Sequence, residues 1–489
     1  MTIGMEGGEE LSMELGNAHG IPHVLMVSFA GQGHLNPLLR LAKRIAAKGL
    51  LVTLCSTHDI RHRMVNSDSG AAASDLGAPK PVGRGFIRFE FFSDGLPVDD
   101  VRRKDLDVLM PAVRVTGQRA VADIIRRHAE AGRPVSCVIN NPFVPWALDV
   151  AAEMGIPGGV LWVQSAAVFA TYYYYHHGLG KFPTEENPDV AAVRLPGLPL
   201  LKQEELPTFL LPTSEYKPLR EVILEQFRNI NKAAWVFANT FHELEREAIE
   251  AISDRIPIIP VGPLVEPPEE KSSPAGIRGD LFKAEDCMEW LDAQEPHSVV
   301  YVSVGSILVL SKEEMEEMAW GLCDSHRPFL WVVRGDMRSL LPEGFLDAVG
   351  DRGQVIEWSP QEEVLAHPAV ACFVTHCGWN STLEALTAGV PMITYPQFGD
   401  QVPDSKFLVE VFGVGVRLAA PATREQMKRC VEAVSTKQRG EEIRKRAAEW
   451  KKAATAAVAE DGSSDRHIQA FVDEITNKRS LANEITTVV

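Results

Sequence analysis

The chain has 489 residues, of which 45% are hydrophobic and 24% are charged, as is typical of a globular protein with a core of ordinary size. This length allows two to four domains. The net charge of −17 argues against nucleic acid and anionic membranes as partners, because phosphate groups select basic surfaces.

Cysteine usage and the N-terminus bear on the compartment in which the protein works. The seven cysteines are odd in number and no pair has metal-ligand spacing, so we expect buried free thiols in a reducing compartment. Residues 1–20 are acidic and lack the basic-then-apolar pattern of a signal peptide, and we interpret them as a disordered tail. Together these features predict a cytoplasmic protein.

The first predicted structural unit follows this tail. An apolar run, HVLMVSF, is followed by the loop GQGHLNP, an amphipathic stretch and a second apolar run, LLVTLC. Strand, loop, helix and strand in this order are typical of a parallel sheet with both faces covered. The runs VSCVIN, GGVLWV and AWVFANT predict further strands of the same sheet.

The loop GQGHLNP places His34 between a strand end and a helix start. Its two glycines allow the backbone to approach a ligand closely. Asn36 stands where the dinucleotide-binding fingerprint has its third glycine, which disfavours a Rossmann-type dehydrogenase. Because an imidazole has a pKa near neutrality and is suited to general-base catalysis, His34 is a candidate base.

Two other segments of the first half could suggest a metal site or a membrane span. Asp105 and Asp107 lie in the charged stretch RRKDLDVLM, which favours a solvated helix face over a metal site. Residues 154–175 carry no charge over about twenty positions, the length of a membrane span. The glycines and the proline near the start of that segment favour a buried strand that runs into a buried helix. We therefore expect no membrane insertion.

Proline and charge become frequent near residue 256, where IPIIPVGPLVEPPEEKSSPAG is typical of a linker. Strands are predicted again in SVVYVSVGS, PFLWVVRG, GQVIEW, VACFVTH and PMITYP. The predicted organisation is a tail (1–20), a first domain (21–255), a linker (256–277), a second domain (278–460) and a C-terminal helical segment (461–489). The predicted fold class is α/β, with two doubly wound domains that face each other across a cleft and bind ligands at the carboxyl ends of their strands.

The stretch FVTHCGWNSTLEALTAGVPMITYPQFGDQ crowds polar groups onto a strand end and the helix after it. A helix N-terminus has unpaired N–H groups and a partial positive charge, which suit a phosphate. His376, Asn380 and Ser381 add side-chain donors at this point. Glu384 lies one helical turn after Asn380 on the same face and could accept from a pair of sugar hydroxyls. The pattern predicts a nucleotide site, with a diphosphate at the helix tip and a ribose beside Glu384.

Residues 358–401, WSPQEEVLAHPAVACFVTHCGWNSTLEALTAGVPMITYPQFGDQ, resemble the signature box of plant secondary-product glycosyltransferases. The loop GQGHLNP, the run VYVSVGS and the terminal helix extend this resemblance over the chain. It implies the GT-B fold, with two Rossmann-like domains and a last helix that returns to the first domain. It also implies inverting transfer of a sugar from a UDP-sugar, as co-substrate, to a small-molecule acceptor by a monomer. No cofactor or metal is expected, because the helix terminus and His376 would stabilise the leaving diphosphate.

The same resemblance assigns roles to individual residues. Uracil would stack on Trp358 and form a hydrogen bond with the backbone of Ser359, and the ribose would bind Gln361 and Glu384. The diphosphate would bind His376, Asn380, Ser381 and Ser306. The sugar would bind Trp379, Asp400 and Gln401. Glutamine at the end of the box goes with glucose in this family, so UDP-glucose is the expected donor. Asp404 replaces an asparagine of the family pattern, and we expect little effect on donor binding.

By resemblance, His34 is the base that deprotonates the acceptor, and Asn141 stands where much of the family has an aspartate that partners it. An asparagine can orient the ring but cannot stabilise its positive charge as a carboxylate would. An acceptor with a carboxylate of pKa near 4 is already ionised and needs less help. The segments INNPFVPW, LWVQSAA and YYYYHH also resemble the branch that glucosylates hydroxycinnamic, gallic and related acids, together with limonoid glucosyltransferases. We therefore predict glucose-ester formation on such acids.

The acceptor pocket is expected in the first domain, with Phe143, Trp146 and Gln164 as candidate contacts, whereas the tyrosines at 172–175 are more typical of core packing. Two alternatives remain open. One is an O- or C-glucosyltransferase acting on flavonoids or phloroglucinols, whose several hydroxyls also acidify the acceptor. The other is a non-catalytic UDP-sugar-binding protein, which would keep the box and lose His34. A lipid glycosyltransferase is disfavoured because the acidic chain shows no basic amphipathic face.

Overall fold

A computed structural model describes residues 20–67, 76–215, 217–266, 277, 279–305, 310–435 and 437–488, with side chains up to residue 478 apart from residue 437. The predicted tail, except for Gly20, and the middle of the predicted linker lie outside these residues. Within the described part of the chain, none of the helices combines the length and the apolar character that a membrane span needs.

The first domain is built on an eight-stranded sheet with a small two-stranded sheet beside it. Its strands are β1 (His23–Val27), β2 (Leu51–Thr57), β3 (Lys80–Val82), β4 (Gly85–Phe92), β5 (Val135–Asn140), β6 (Gly158–Trp162), β7 (Ala192–Val193), β8 (Leu201–Lys202), β9 (Ala233–Ala238) and β10 (Ile258–Pro260). The large sheet has the order β10-β9-β6-β5-β1-β2-β4-β3, and all pairs are parallel except β3 with β4. Because β1 lies between β5 and β2, the chain reverses its direction of travel across the sheet at β1, and a cleft is expected there.

The helices of the first domain are α1 (Gln32–Ala47), α2 (His58–Ser67), α3 (Leu106–Glu130), α4 (Trp146–Glu153), α5 (Ala166–His176), α6 (Lys217–Asn229) and α7 (His242–Ile252). The uncharged stretch at 154–175 forms the buried strand β6 and the mostly buried helix α5, in agreement with the sequence. Asp105 caps the start of α3 by accepting a hydrogen bond from the backbone N–H of Asp107, and both residues are exposed.

The second domain has a six-stranded, wholly parallel sheet. Its strands are β11 (Val299–Ser303), β12 (Phe329–Val332), β13 (Gly353–Ile356), β14 (Val370–Thr375), β15 (Met392–Thr394) and β16 (Gly415–Arg417), in the order β13-β12-β11-β14-β15-β16. Its helices are α8 (Met288–Asp292), α9 (Lys312–Asp324), α10 (Phe345–Val349), α11 (Gln361–Ala366), α12 (Trp379–Ala388), α13 (Gln401–Lys406), α14 (Arg424–Ser435) and α15 (Lys437–Val458). The reversal point here lies between β11 and β14, and this confirms the predicted α/β class with two Rossmann-like sheets.

The last helix, α16 (Ser463–Val488), packs on the first domain. The ring of Phe471 lies edge-on to those of Trp235 and Phe237, with centroid distances of 5.1 Å to each. Glu474 accepts a hydrogen bond of 2.9 Å from the indole of Trp235, and Asp465 pairs with Lys48 of the first domain at 2.8 Å. The end of the chain thus adds to the core beneath β5, β9 and β10.

Phe471→Ala should destabilise the protein. Phe471 is 3% exposed, and truncating a buried phenylalanine costs about 3–5 kcal/mol because it removes apolar burial and leaves a cavity. We expect the unfolding midpoint in denaturant to fall accordingly when it is followed by circular dichroism. Leu346→Ala, at a side chain that is 49% exposed, is the matched control and should change the free energy of unfolding by less than about 0.5 kcal/mol.

Candidate functional site

The first-domain side of the cleft is formed by the loop between β1 and α1. His34 lies in the first turn of α1, and its ring contacts those of Phe29 and Phe143, with centroid distances of 5.3 Å and 4.8 Å. Its Nδ1 is buried and has no hydrogen-bond partner among the described residues. Burial lowers the pKa of His34 to about 4. Burial thus favours the neutral imidazole, and Nδ1 is the enclosed ring nitrogen.

Asn141 lies at the end of β5, directly behind this loop, and is fully buried. Its Oδ1 accepts from the backbone N–H of Phe29 at 3.0 Å, and its Nδ2 donates to the backbone carbonyl of His34 at 2.8 Å and to Ser28 Oγ at 3.2 Å. The amide thus fixes the backbone that carries the imidazole, rather than the ring. No carboxylate partner for an imidazolium is supplied from this position.

The second-domain side is the tip of α12, which follows β14. Cys377 adopts a positive φ of 68°, and the first intrahelical bond runs from Thr382 N–H to the carbonyl of Gly378 at 2.9 Å, so the amides before it have no acceptor within the helix. His376 Nδ1 is buried without a partner among the described residues, and burial lowers the pKa of His376 to about 4. A Cβ at Gly305 would come within 2.7 Å of the His376 ring, which explains the glycine of the run VYVSVGS.

The two sides of the cleft meet at Asn380. Its Nδ2 donates to the backbone carbonyl of Gly33, one residue before His34, at 2.9 Å. The neighbouring Trp379 is 3% exposed, and its indole N–H donates to the carbonyl of Asn239 at 2.6 Å. The buried indole is thus held by a backbone carbonyl of the first domain, and the contact of Trp379 with the sugar stays a prediction. Asn239 is a site-forming residue that we did not predict, although it lies at the carboxyl end of the predicted strand AWVFANT.

A continuous chain of side-chain hydrogen bonds lines the second-domain wall. The hydroxyl of the buried Tyr301 lies 2.7 Å from Ser359 Oγ and donates to Gln361 Oε1 at 3.0 Å. Gln361 Nε2 in turn donates to Ser381 Oγ at 2.8 Å and to Glu384 Oε2 at 2.7 Å. The structure therefore brings the predicted ribose pair, Gln361 and Glu384, into direct contact. Tyr301 is the residue of this hydrogen-bond network that we did not predict from the sequence.

Trp358 lies at the end of this wall and is half-buried. The ring of Phe282, which is 37% exposed, stacks on it with a centroid distance of 4.3 Å and an interplanar angle of 29°. A tryptophan held in this way offers its second face to a planar ligand such as a base. Ser306, predicted to bind the diphosphate, lies outside the described residues.

The residues that were predicted to bind the sugar of the donor lie where the two domains are in contact. Asp400 accepts a hydrogen bond from Gln164 of the first domain, and burial raises the pKa of Asp400 to about 6. Gln401 is buried and accepts the backbone N–H of Gln397 at 3.0 Å through Oε1. Asp404 is 1% exposed and accepts from Ser165 Oγ at 2.7 Å; burial, then Asp400, raise its pKa well above the usual value. The neutral acid that this favours resembles an asparagine in charge and shape.

The acceptor candidates fall into two groups. Phe143, with a positive φ of 77°, lies against His34, and Gln164 lies beside Asp400, so both border the cleft. Trp146 is 3% exposed and packs against Gly117 of α3, where a Cβ would come within 2.5 Å of the indole. Trp146 therefore belongs to the core. The tyrosines at 172–174 also lie in the core, in an aromatic cluster with Trp162 and Phe227.

Comparisons with known proteins bear on the family and the fold. A family model described as UDP-glucoronosyl and UDP-glucosyl transferase matches residues 279–444. The chain is 49% identical to a gallate 1-beta-glucosyltransferase of Quercus robur, over 95% of this chain and 92% of that protein. It is 46% identical to a cinnamate beta-D-glucosyltransferase of Fragaria ananassa, over 96% of this chain and 86% of the other. Among solved structures it is similar to Os79 of O. sativa in complex with UDP, with a TM-score of 0.80, 31% identity and coverage of 92% of this chain and 100% of that one.

Proposed function

Since the chain belongs to the UDP-glucuronosyl and UDP-glucosyl transferase family and is a UDP-glycosyltransferase of the GT-B fold, we propose that it forms glucose esters of plant phenolic acids. UDP-glucose is the donor, and a hydroxycinnamic or benzoic-type acid is the acceptor. Two relatives support this class of acceptor, because one is a gallate glucosyltransferase and the other is a cinnamate glucosyltransferase.

The observation that carries the proposal is the state of His34. Asn141 bonds the backbone of the loop rather than the imidazole, His34 Nδ1 has no partner among the described residues, and burial lowers the pKa of the ring, so the protonated base receives no carboxylate support from this position. Such a base removes a proton poorly from a phenol, whose pKa is near 10, whereas a carboxylic acid with a pKa near 4 arrives ionised. A site of this kind favours a carboxylate acceptor. His34 then acts as base toward acceptors that arrive protonated and as a hydrogen-bond donor toward those that do not.

The reaction is a single displacement at the anomeric carbon of glucose. A carboxylate oxygen of the acceptor supplies the electron pair of the new C–O bond on the His34 side. The bond to the diphosphate oxygen breaks with its electron pair, so UDP leaves from the opposite side and the configuration inverts. The amides at the tip of α12, which have no acceptor within the helix, and the donors of His376, Asn380 and Ser381 would stabilise the charge that develops on the leaving diphosphate.

The test is a competition between acceptors. With UDP-glucose at saturation, kcat/KM for gallate- or cinnamate-type acids should exceed that for matched phenols without the carboxyl by at least about tenfold, since only the acids are ionised without a strong base. The product, identified by mass spectrometry, should release glucose in mild alkali, as esters do. Preference for the phenols, or products stable to alkali, would favour the O- or C-glucosyltransferase alternative.

A further inference from the structure

The donor site contains an ion pair that crosses the cleft. Arg40 projects from α1 of the first domain, and its side chain is 9% exposed. Its NH2 group lies 2.5 Å from Glu362 Oε1 and its NH1 group 3.7 Å from Glu384 Oε1, both in the second domain. NH1 also donates to the carbonyl of Leu264 in the connecting segment at 2.9 Å. A single guanidinium thus links the first domain, the linker and the second domain.

This cation lies beside the carboxylate to which the ribose is assigned. Glu384 is 9% exposed, and such burial favours the protonated acid unless a positive charge is near. Its Oε2 accepts from Gln361, and its Oε1 faces Arg40 at a separation longer than a hydrogen bond. Arg40 therefore favours the ionised carboxylate by charge rather than by hydrogen-bonding that oxygen.

Arg40 and the candidate base share a rigid element. Arg40 lies six positions after His34 on α1, which corresponds to about 9 Å along the helix axis. On α12, Asn380 and Glu384 lie on one face, and they meet Gly33 and Arg40 of α1, respectively. Two contacts therefore fix α1 against α12, one at each end of the stretch that carries His34.

We propose that Arg40 is a positioning residue of the donor site: it holds Glu384 ionised and in place to accept from the ribose hydroxyls, so that the first domain completes the nucleotide subsite of the second. This rests on the proposed function, in which Glu384 binds the ribose. A consequence is that binding of the ribose and placement of His34 are coupled through α1.

The experiment compares UDP with 2′,3′-dideoxy-UDP by calorimetry. In the unchanged protein, we expect the loss of both hydroxyls to weaken binding by about 10- to 100-fold, as for hydrogen bonds to a charged group. In Arg40→Met, the affinity for UDP should fall until it is close to the affinity for the dideoxy nucleotide. The Kd of the dideoxy nucleotide should then exceed the Kd of UDP by less than about threefold. Arg40→Lys keeps the charge and should restore much of the ratio. Arg44→Met is the matched control, because Arg44 lies one turn further on α1 and donates to the carbonyls of Val261 and Pro263; it should keep the wild-type ratio.

The outcomes separate the possible failures. If Arg40→Met weakens both nucleotides by the same factor, or weakens neither, Arg40 does not act through Glu384 and the inference is wrong. The double variant Arg40→Met/Glu362→Gln also removes the carboxylate charge that Arg40 faces in the second domain, and it should show the same fall in the ratio if the single variant folds poorly. If the unchanged protein binds no UDP, the proposed function is wrong, and the inference about Arg40, which depends on it, is wrong as well.

Discussion

His34→Ala should lower kcat/KM for a carboxylic acid acceptor by about 10- to 150-fold, the value of a hydrogen bond of about 1.5–3 kcal/mol to a charged group. For a phenolic acceptor the loss should be larger, about 10²- to 10⁴-fold, because proton transfer to a positioned base is then removed as well. The two losses differ because a carboxylate has no proton to give up at neutral pH. Initial rates with both acceptor types at saturating UDP-glucose would measure the difference.

Binding of the donor provides the control for this variant. His34 contacts Phe29 and Phe143 on the first-domain side, so His34→Ala should leave the Kd of UDP within about twofold of the unchanged protein. His62→Ala, at an exposed imidazole of α2 that is hydrogen-bonded to Asn66, should leave both the rates and the Kd unchanged. Turnover by His34→Ala equal to that of the unchanged protein would show that the imidazole takes no part in the transfer.

The buried strands could be predicted from the sequence. Parallel strands covered on both faces are continuous apolar runs, and all ten runs identified in this way are strands; VSCVIN coincides with β5 (Val135–Asn140). By contrast, we did not predict β4, GFIRFEFF, in which polar residues alternate with buried apolar ones near the sheet edge. Nor did we predict β10, which lies in the Pro-rich segment that we interpreted as a linker, or β16.

The site could be predicted only where its residues are close in sequence. Gln361, His376, Asn380 and Glu384 belong to one contiguous box, so their spacing already places them on neighbouring elements: Gln361 at the start of α11, His376 just after β14, and Asn380 and Glu384 on α12. Arg40 could not be found in this way, because its role in the site depends on contacts with two carboxylates that lie more than 300 residues later in the sequence. The role of Asn141 was also beyond the sequence, since an amide can bind either a ring or a backbone carbonyl, and packing decides which.

Trp358→Ala should raise the Kd of UDP by about 5- to 150-fold. Stacking of a base on an aromatic side chain contributes about 1–3 kcal/mol, and in the proposed site Trp358 supplies that surface for uracil. Trp358→Phe should retain most of the affinity, because a smaller ring still offers an aromatic face. Calorimetry with UDP measures all three proteins, and an unchanged Kd in Trp358→Ala would contradict the assignment of the base subsite.

Phe282 provides the matched control, because it belongs to the same stack but lies on one face of the indole only. If uracil occupies the opposite face, Phe282→Ala removes a ring that the base never contacts, and the Kd of UDP should change by less than about threefold. If Phe282 instead covers the face that uracil needs, the base must displace it, and Phe282→Ala should bind UDP more tightly. The direction of this change therefore identifies the uracil face, and Trp358→Ala measures what that face contributes.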